Sequence, residues 1–309
     1  MLTPFLNRTL QVKIESTEGT DAVPTAALNT IQCMDLSVMV EADNQDRNLD
    51  RSVFGGRPTA LVRKRGIASG IIELVGHGTP GTAAPIAALL RACGHAETLV
   101  AVTSARYRPL SASIPSATVK AFHSTEVFKF LGARGMLSNL QFNIDDFPKA
   151  QFEIRGNPQT MAEASMPTDS DVSAFQIPPV IVHDNSVMTI DGFNVDGKGL
   201  EIRPNVAMDI IHHTEGRVAR HTDRVTEVTL RFFRSAYSDK NIHALANAET
   251  PVPIEFEITT SAGKNILVEL PAVQLLLPKP VEIDGHFAWE VIGRVLPDAG
   301  DDEYSITFA

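Results

Sequence analysis

The chain has 309 residues, 43% of them hydrophobic and 21% charged, with a formal net charge of −10, nine histidines and two cysteines. It is long enough for one large domain or two ordinary ones, and the acidic balance argues against a sequence-independent nucleic-acid binder. No apolar run approaches the ~20 residues of a membrane helix, and the start at Met1 and Leu2 lacks a signal-peptide pattern, so folding in a cytoplasm is expected.

Cys33 and Cys93 have neither metal nor redox spacing and read as small core residues. Stability is therefore expected from packing, including packing between copies.

Residues 11–15 suit a strand and 16–24 a turn-rich loop. Leu36, Val38 and Val40 then fall on one face of a half-buried strand. The polar stretch 43–51, followed by Phe54, Gly55, Gly56, Arg57 and Pro58, has no hydrophobic period and both signs of charge. It reads as a solvated loop or an interaction loop, and long loops inside compact domains are often functional.

Residues 70–94 read as a strand carrying Ile72 and Leu74, a glycine-rich turn, and a short helix. Ile86, Leu89, Leu90 and Cys93 form its apolar stripe, with Thr82 as a cap, Pro85 in the first turn and Gly94 as a left-handed stop. Gly76, Gly78 and Gly81 spell the dinucleotide-binding pattern G-x-G-x-x-G. That pattern needs repeated βαβ units and a later acidic residue for the ribose. Here Glu97 precedes the apolar run 99–102, no second βαβ unit follows, and Pro80 sits just before the third glycine. Period two returns at 119–121, 127–130, 140–144 and 150–154, and the proline-containing stretch 156–174 reads as a linker.

The second half repeats this order. Residues 206–210 alternate as 36–40 do, and a polar loop is expected over 211–224. A strand at 228–232 and a short helical stripe of Ile242, Leu245 and Ala246 follow. Four strands come next, at 254–258, 266–270, 273–277 and 287–291. Phe152 to Gly156 overlays Trp289 to Gly293. The expectation is a tandem duplication of a mainly β domain, a sandwich or barrel of six or seven strands with one short helix per domain. The boundaries are 1–157 for the first domain with an N-terminal arm, 158–176 for the linker, 177–297 for the second domain and 298–309 for an acidic tail. Within that tail, residues 304–308 suit a short strand added to a neighbour.

Chemistry is sparse in this pattern. His212, His213 and His221 could suggest a metal, but adjacent strand histidines point to opposite faces and lack a carboxylate at suitable spacing. No nucleophile elbow, zincin or P-loop motif occurs, so neither catalysis, nor a cofactor, nor a metal is expected. A nucleotide-binding enzyme using Gly76, Gly78 and Gly81 stays as a distant alternative. A carbohydrate-binding or adhesive β module is disfavoured by one Trp and three Tyr.

Several stretches together resemble the tail tube, or major tail, proteins of long-tailed bacteriophages: IESTEGTDAVP at 14–24, IAALLRACG at 86–94, KFLGARGM at 129–136 leading to KAQFEIRG at 149–156, and VMTIDGF at 187–193. The resemblance implies two tandem tail-tube-like domains and a structural virion protein, assembled in the host cytoplasm into stacked rings around a DNA channel. Two domains per chain suggest homotrimeric rings with pseudo-sixfold symmetry. The implied partners are further copies of the chain, a tape measure protein, a tail terminator and distal tail or baseplate proteins. Genomic DNA would pass through without specific binding, and no membrane is involved. Contractile-tail and secretion-type injection tubes are the nearest alternative. By the same analogy the loop from Asp43 to Pro58 stacks rings, with Asp43, Arg47, Arg51, Phe54 and Arg57 as the candidate inter-ring contacts.

Overall fold

The computed structural model describes residues 8–214 and 216–309; the chain start at Met1 and Leu2 lies outside them, as does Glu215 of the expected 211–224 loop. Period-two alternation dominates the folded chain. The strand Val252–Ile258 alternates buried and exposed residues without a break, burying Val252, Ile254, Phe256 and Ile258. Strands take 53% of the chain and helices 5%, which makes the fold mainly β. Among the described residues no helix is long and apolar enough to cross a membrane.

The strands form two antiparallel ladders of the same order. In the first half Met34–Asp46 pairs with Thr59–Glu73, which pairs with Lys149–Pro158. The ladder continues through Glu126–Asn143, Ala117–His123 and Arg8–Ile14 to the short Thr30–Ile31. In the second half Gly197–Arg203 pairs with Glu227–Phe233, then His286–Val295 and Ile266–Leu275. Val252–Ile258, Ser186–Ile190 and Phe193–Val195 complete it. The two closing strands expected to overlay occupy the same rung, with Phe152 opposite Gly70 and Trp289 opposite Phe232.

The halves also differ from the sequence reading. Residues 127–130 and 140–144 do not form two strands; one strand, Glu126–Asn143, spans them. Its buried side is Phe130, then Ala133 and Leu137, then Leu140 and Phe142. Register shifts between Leu131 and Arg134, and between Leu137 and Asn139, change the parity each time. A bulge inserts one residue and so flips the face on which later side chains fall. Residues 266–270 and 273–277 merge in the same way into Ile266–Leu275, where the buried side passes from Leu270 to Val273. The expected polar loop 211–224 is largely ladder: Val206–His213 pairs with Gly216–Arg224 as a hairpin. The first half holds two helices, Ala26–Asn29 and Ala87–Ala92, and an additional hairpin of His95–Val100 with Ser104–Pro109.

Helix Ala87–Ala92 buries Leu89 and Leu90 as the stripe requires. Thr82 does not cap it. Ile86 stands at the cap position without a side-chain bond, while Gly94 ends the helix at φ +78° with its N–H donating to the Arg91 carbonyl. Cys93 is buried but Cys33 is only partly so.

The C-terminal strand Ser305–Phe308 ties the halves together. It pairs on one edge with residues 266–269 and on the other with 105–107 of the first half. The neighbour it extends is thus within the chain. Tyr304 just before it is fully buried and donates its hydroxyl to His95 Nε2 at 2.7 Å, while His95 Nδ1 lies 3.1 Å from the Leu90 carbonyl. With Nδ1–H donating to that carbonyl, the imidazole is neutral, and burial holds its pKa down at about 4.

Candidate assembly surface

Each half contains one long hairpin, and the two turn at the same end of the ladder. In the first, Met34–Asp46 and Thr59–Glu73 pair as far as Asp46 opposite Thr59. Residues 43–46, expected in a loop, are strand; the irregular tip is 47–58. Lys149–Pro158 covers the ladder only as far as Gly66. Beyond it the arm is a two-stranded ribbon with Leu61 and Val62 exposed, and at its base Met39 and Val40, opposite Ile67 and Gly66, are exposed as well.

The five candidate contacts separate on this arm. Asp43 belongs to the stem, 3.4 Å from the Arg65 guanidinium and 3.8 Å from that of Arg63. Arg65 also binds Glu41 at 2.9 Å. Arg47 closes the base of the tip, its N–H donating to the Pro58 carbonyl at 3.2 Å, and Arg57 donates to Asn48 Oδ1 at 3.1 Å. Arg51 and Phe54 sit on the tip itself, and Phe54 is fully exposed at 109% of its reference area. The structure therefore gathers Arg47, Arg51, Phe54 and Arg57 at the tip and places Asp43 on the stem.

The second hairpin is handled differently. Strand Gly197–Arg203 first extends the first half's sheet, pairing residues 199–202 with 140–143. After Arg203 the chain leaves that ladder, and the hairpin of Val206–His213 and Gly216–Arg224 lies against the first half. Arg134 donates to the Ala219 carbonyl and to both oxygens of Glu18, and Arg220 binds the same Glu18. The Arg134 hydrogen bonds, with Arg220 beside them, hold the Glu18 carboxyl down at about 2 against the opposing effect of burial. His221 Nε2 lies 2.7 Å from the Gly135 carbonyl, Arg155 donates to the Met208 carbonyl, and Arg217 donates to the Lys64 carbonyl of the first hairpin. At its far end Arg224 binds Glu303 at 2.7 Å.

These contacts also account for the histidines. His212 and His213 are exposed on their strand, while His221 faces Gly135 from the opposite strand. Among the described residues no three His, Cys, Asp or Glu side chains converge as a metal site.

The glycines have a packing reason. A side chain on Gly76 would meet the Gly263 carbonyl oxygen at 2.6 Å, and one on Gly81 would meet the Val102 nitrogen at 2.4 Å. Gly78 (φ +83°) donates its N–H to that same Gly263 carbonyl, and a side chain on Gly263 would meet the Gly78 carbonyl carbon at 2.3 Å. The loop is pressed backbone to backbone against the turn before Ile266 in the other half and against the 100–103 turn.

Sequence reasoning missed two features of this surface. One is the stem, whose apolar residues Leu61 and Val62 are exposed beside Arg63 and Lys64. The other is an unpaired edge in the second half, where Lys279–Ile283 pairs only with His286–Val295. Just before it Leu276 and Leu277 are 53% and 60% exposed. The run from Leu275 to Leu277 ending in Pro278 was the available signal: three leucines at the end of a strand cannot all face one core.

No protein-family model matches the chain, and a search of characterised proteins finds no match to it.

Proposed function

We propose that this chain is a structural subunit that assembles with copies of itself into stacked rings, as tail tube proteins of long-tailed phages do. The observation that carries this reading is the first hairpin. An isolated two-stranded ribbon is marginal in water, yet here one extends past its sheet with exposed Leu61 and Val62, a bare Phe54 at its tip and exposed Met39 and Val40 at its base. Such an arm gains its stability by docking on another surface. The tip residues Arg47, Arg51, Phe54 and Arg57 serve as contacts to an adjacent ring, a guanidinium and aromatic set of the kind that anchors interfaces. Two units of equal strand order in one chain fit trimeric rings with six quasi-equivalent positions. A net charge of −10 suits a channel from which DNA slides without adhering. A virion location, and tape measure, terminator and baseplate partners, belong to the same proposal.

Electron microscopy of the purified chain, with and without residues 48–57 replaced by a two-residue Asn-Gly turn, tests it. The intact chain is expected to form rings that stack into tubes, and the shortened chain to stop at single rings. Monomers at high concentration would overturn the assembly reading. Unchanged tubes from the shortened chain would remove the tip from the stacking contact.

A further inference from the structure

The chain contains one complete junction between its two units and the two halves of a second junction left open. In the complete one, strand Gly197–Arg203 of the second unit pairs antiparallel with residues 140–143 at the end of the first unit's long strand. The hairpin that follows then lies over the same strand near Arg134 and Gly135. The counterpart of Gly197–Arg203 in the first unit is Met34–Asp46, because each is the outermost strand of its ladder and pairs with the strand that leads toward the helix. The counterpart of residues 140–143 in the second unit is Lys279–Ile283, the segment that precedes the turn into the closing strand in each unit.

Among the described residues both counterparts have an unpaired edge. Met34–Asp46 has a ladder partner only in Thr59–Glu73, and Lys279–Ile283 only in His286–Val295. Exposed edges invite pairing with another chain. The side chains flanking them are apolar and exposed on both sides: Met39 and Val40 beside the first edge, Leu276 and Leu277 beside the second. In the complete junction the matching area is covered by the second hairpin. In the open one Leu276 and Leu277 stay exposed among the described residues.

We infer that the edge of residues 34–41 in one copy pairs antiparallel with Lys279–Ile283 of the next copy, while its hairpin arm lies over Leu276 and Leu277. This rests on the self-assembly reading and specifies its lateral contact. The contact is head to tail, since two different surfaces meet, so repeating it closes a ring when the rotation between units matches that inside the chain. Side-chain period two fixes the parity of the pairing. In the complete junction Glu201 stands opposite Gln141 and Ile202 opposite Leu140, and carried across with the ladder registers this sets odd-numbered residues of 34–41 opposite odd-numbered residues of 279–283.

Mixing two variants of the full chain, each with one added cysteine, tests it, with the wild-type chain as the control for Cys33 and Cys93. In that register Met39 stands opposite Ile283, so Met39→Cys mixed with Ile283→Cys is expected to give a disulfide-linked dimer under mild oxidation, and Met39→Cys mixed with Glu282→Cys much less of it. Rings or tubes that form without the 39–283 crosslink, or that crosslink equally through position 282, would overturn the inference and leave self-assembly standing. Absence of both crosslink and assembly would overturn the two together. Leu276→Asp and Leu277→Asp alter exposed positions, so the fold is expected to persist while the concentration needed for assembly rises about a hundredfold. Unchanged assembly by both variants would remove the arm from this contact.

Discussion

The two hairpins are the same element put to two uses. The second, at 206–224, is held inside the chain by Arg134, Arg155 and His221, and its turn is short. The first, built from Met34–Asp46 and Thr59–Glu73, leaves its arm uncovered and carries a twelve-residue tip at 47–58. Polar side chains hold the docked hairpin, whereas the undocked one offers Met39, Val40, Leu61, Val62 and Phe54 to solvent. A duplicated unit can satisfy one of its two junctions within the chain. In the proposed assembly the other is met by a second chain, at the exposed apolar side chains of Leu276 and Leu277.

The sharpest way to break this contrast is at Arg134. Its side chain is almost fully buried and serves Glu18, Ala219 and Ile114 together. Arg134→Ala strips the Ile114 carbonyl of its side-chain donor and leaves Glu18 and the Ala219 carbonyl to Arg220 alone, and a loss of about 4 kcal/mol in unfolding free energy is expected. Urea titration of the isolated chain measures it. A loss under 1 kcal/mol would mean that the second hairpin is not held by this residue.

Acid should act next on the same internal junctions. His95 is neutral in the fold with its pKa lowered to about 4, against 6.5 unperturbed. The unfolded chain takes up this proton first, so the contribution is complete above pH 6.5 and is lost as pH falls from 6.5 to 4. That loss is about 3 kcal/mol. Glu18, lowered to about 2 from 4.5, adds a further loss as pH falls from 4.5 to 2. Thermal unfolding from pH 7.5 to 4 should show a falling midpoint, and the slope between 6.5 and 4 should flatten in His95→Gln. An unchanged slope would separate the histidine from the effect.

The glycine contact between the halves comes third. Gly263→Ala forces a side chain onto the Gly78 carbonyl carbon at a backbone φ of +84°, with an expected cost of about 2 to 3 kcal/mol. Gly192→Ala, at φ +70° with open space around it, should cost only about 1 kcal/mol. Equal costs in denaturant unfolding would mean that the two loops are not pressed together. The smallest effect is expected on the undocked arm. Arg65→Ala removes exposed ion pairs to Glu41 and Asp43 and should change monomer stability by less than about 1 kcal/mol.

Legibility in the sequence followed the range of the interaction. Leu89 and Leu90 mark the helix because they neighbour each other on one turn, and Ile72 and Leu74 mark a strand for the same local reason. The bulges near Gly132 and Pro271 hid the continuity of two long strands, since a parity change looks like a strand end when no partner strand is in view. Asp43 read as loop because charges paired across a ribbon, here with Arg63 and Arg65, have no hydrophobic period. Residues 211–224 misled for a similar reason: Arg217 and Arg220 are spent on acceptors in the first half and Arg224 on Glu303 near the C-terminus.

By itself the sequence determined the alternation that makes the protein mainly β and the repeated order of elements. These depend on neighbours a few residues apart. The tertiary structure alone decided that Gly76, Gly78 and Gly81 face backbone from the other half and the 100–103 turn, and that Tyr304 reaches His95. It also decided which strand edges the chain pairs and which it leaves open. Those outcomes depend on residues that meet only after long loops close, and no local period records them.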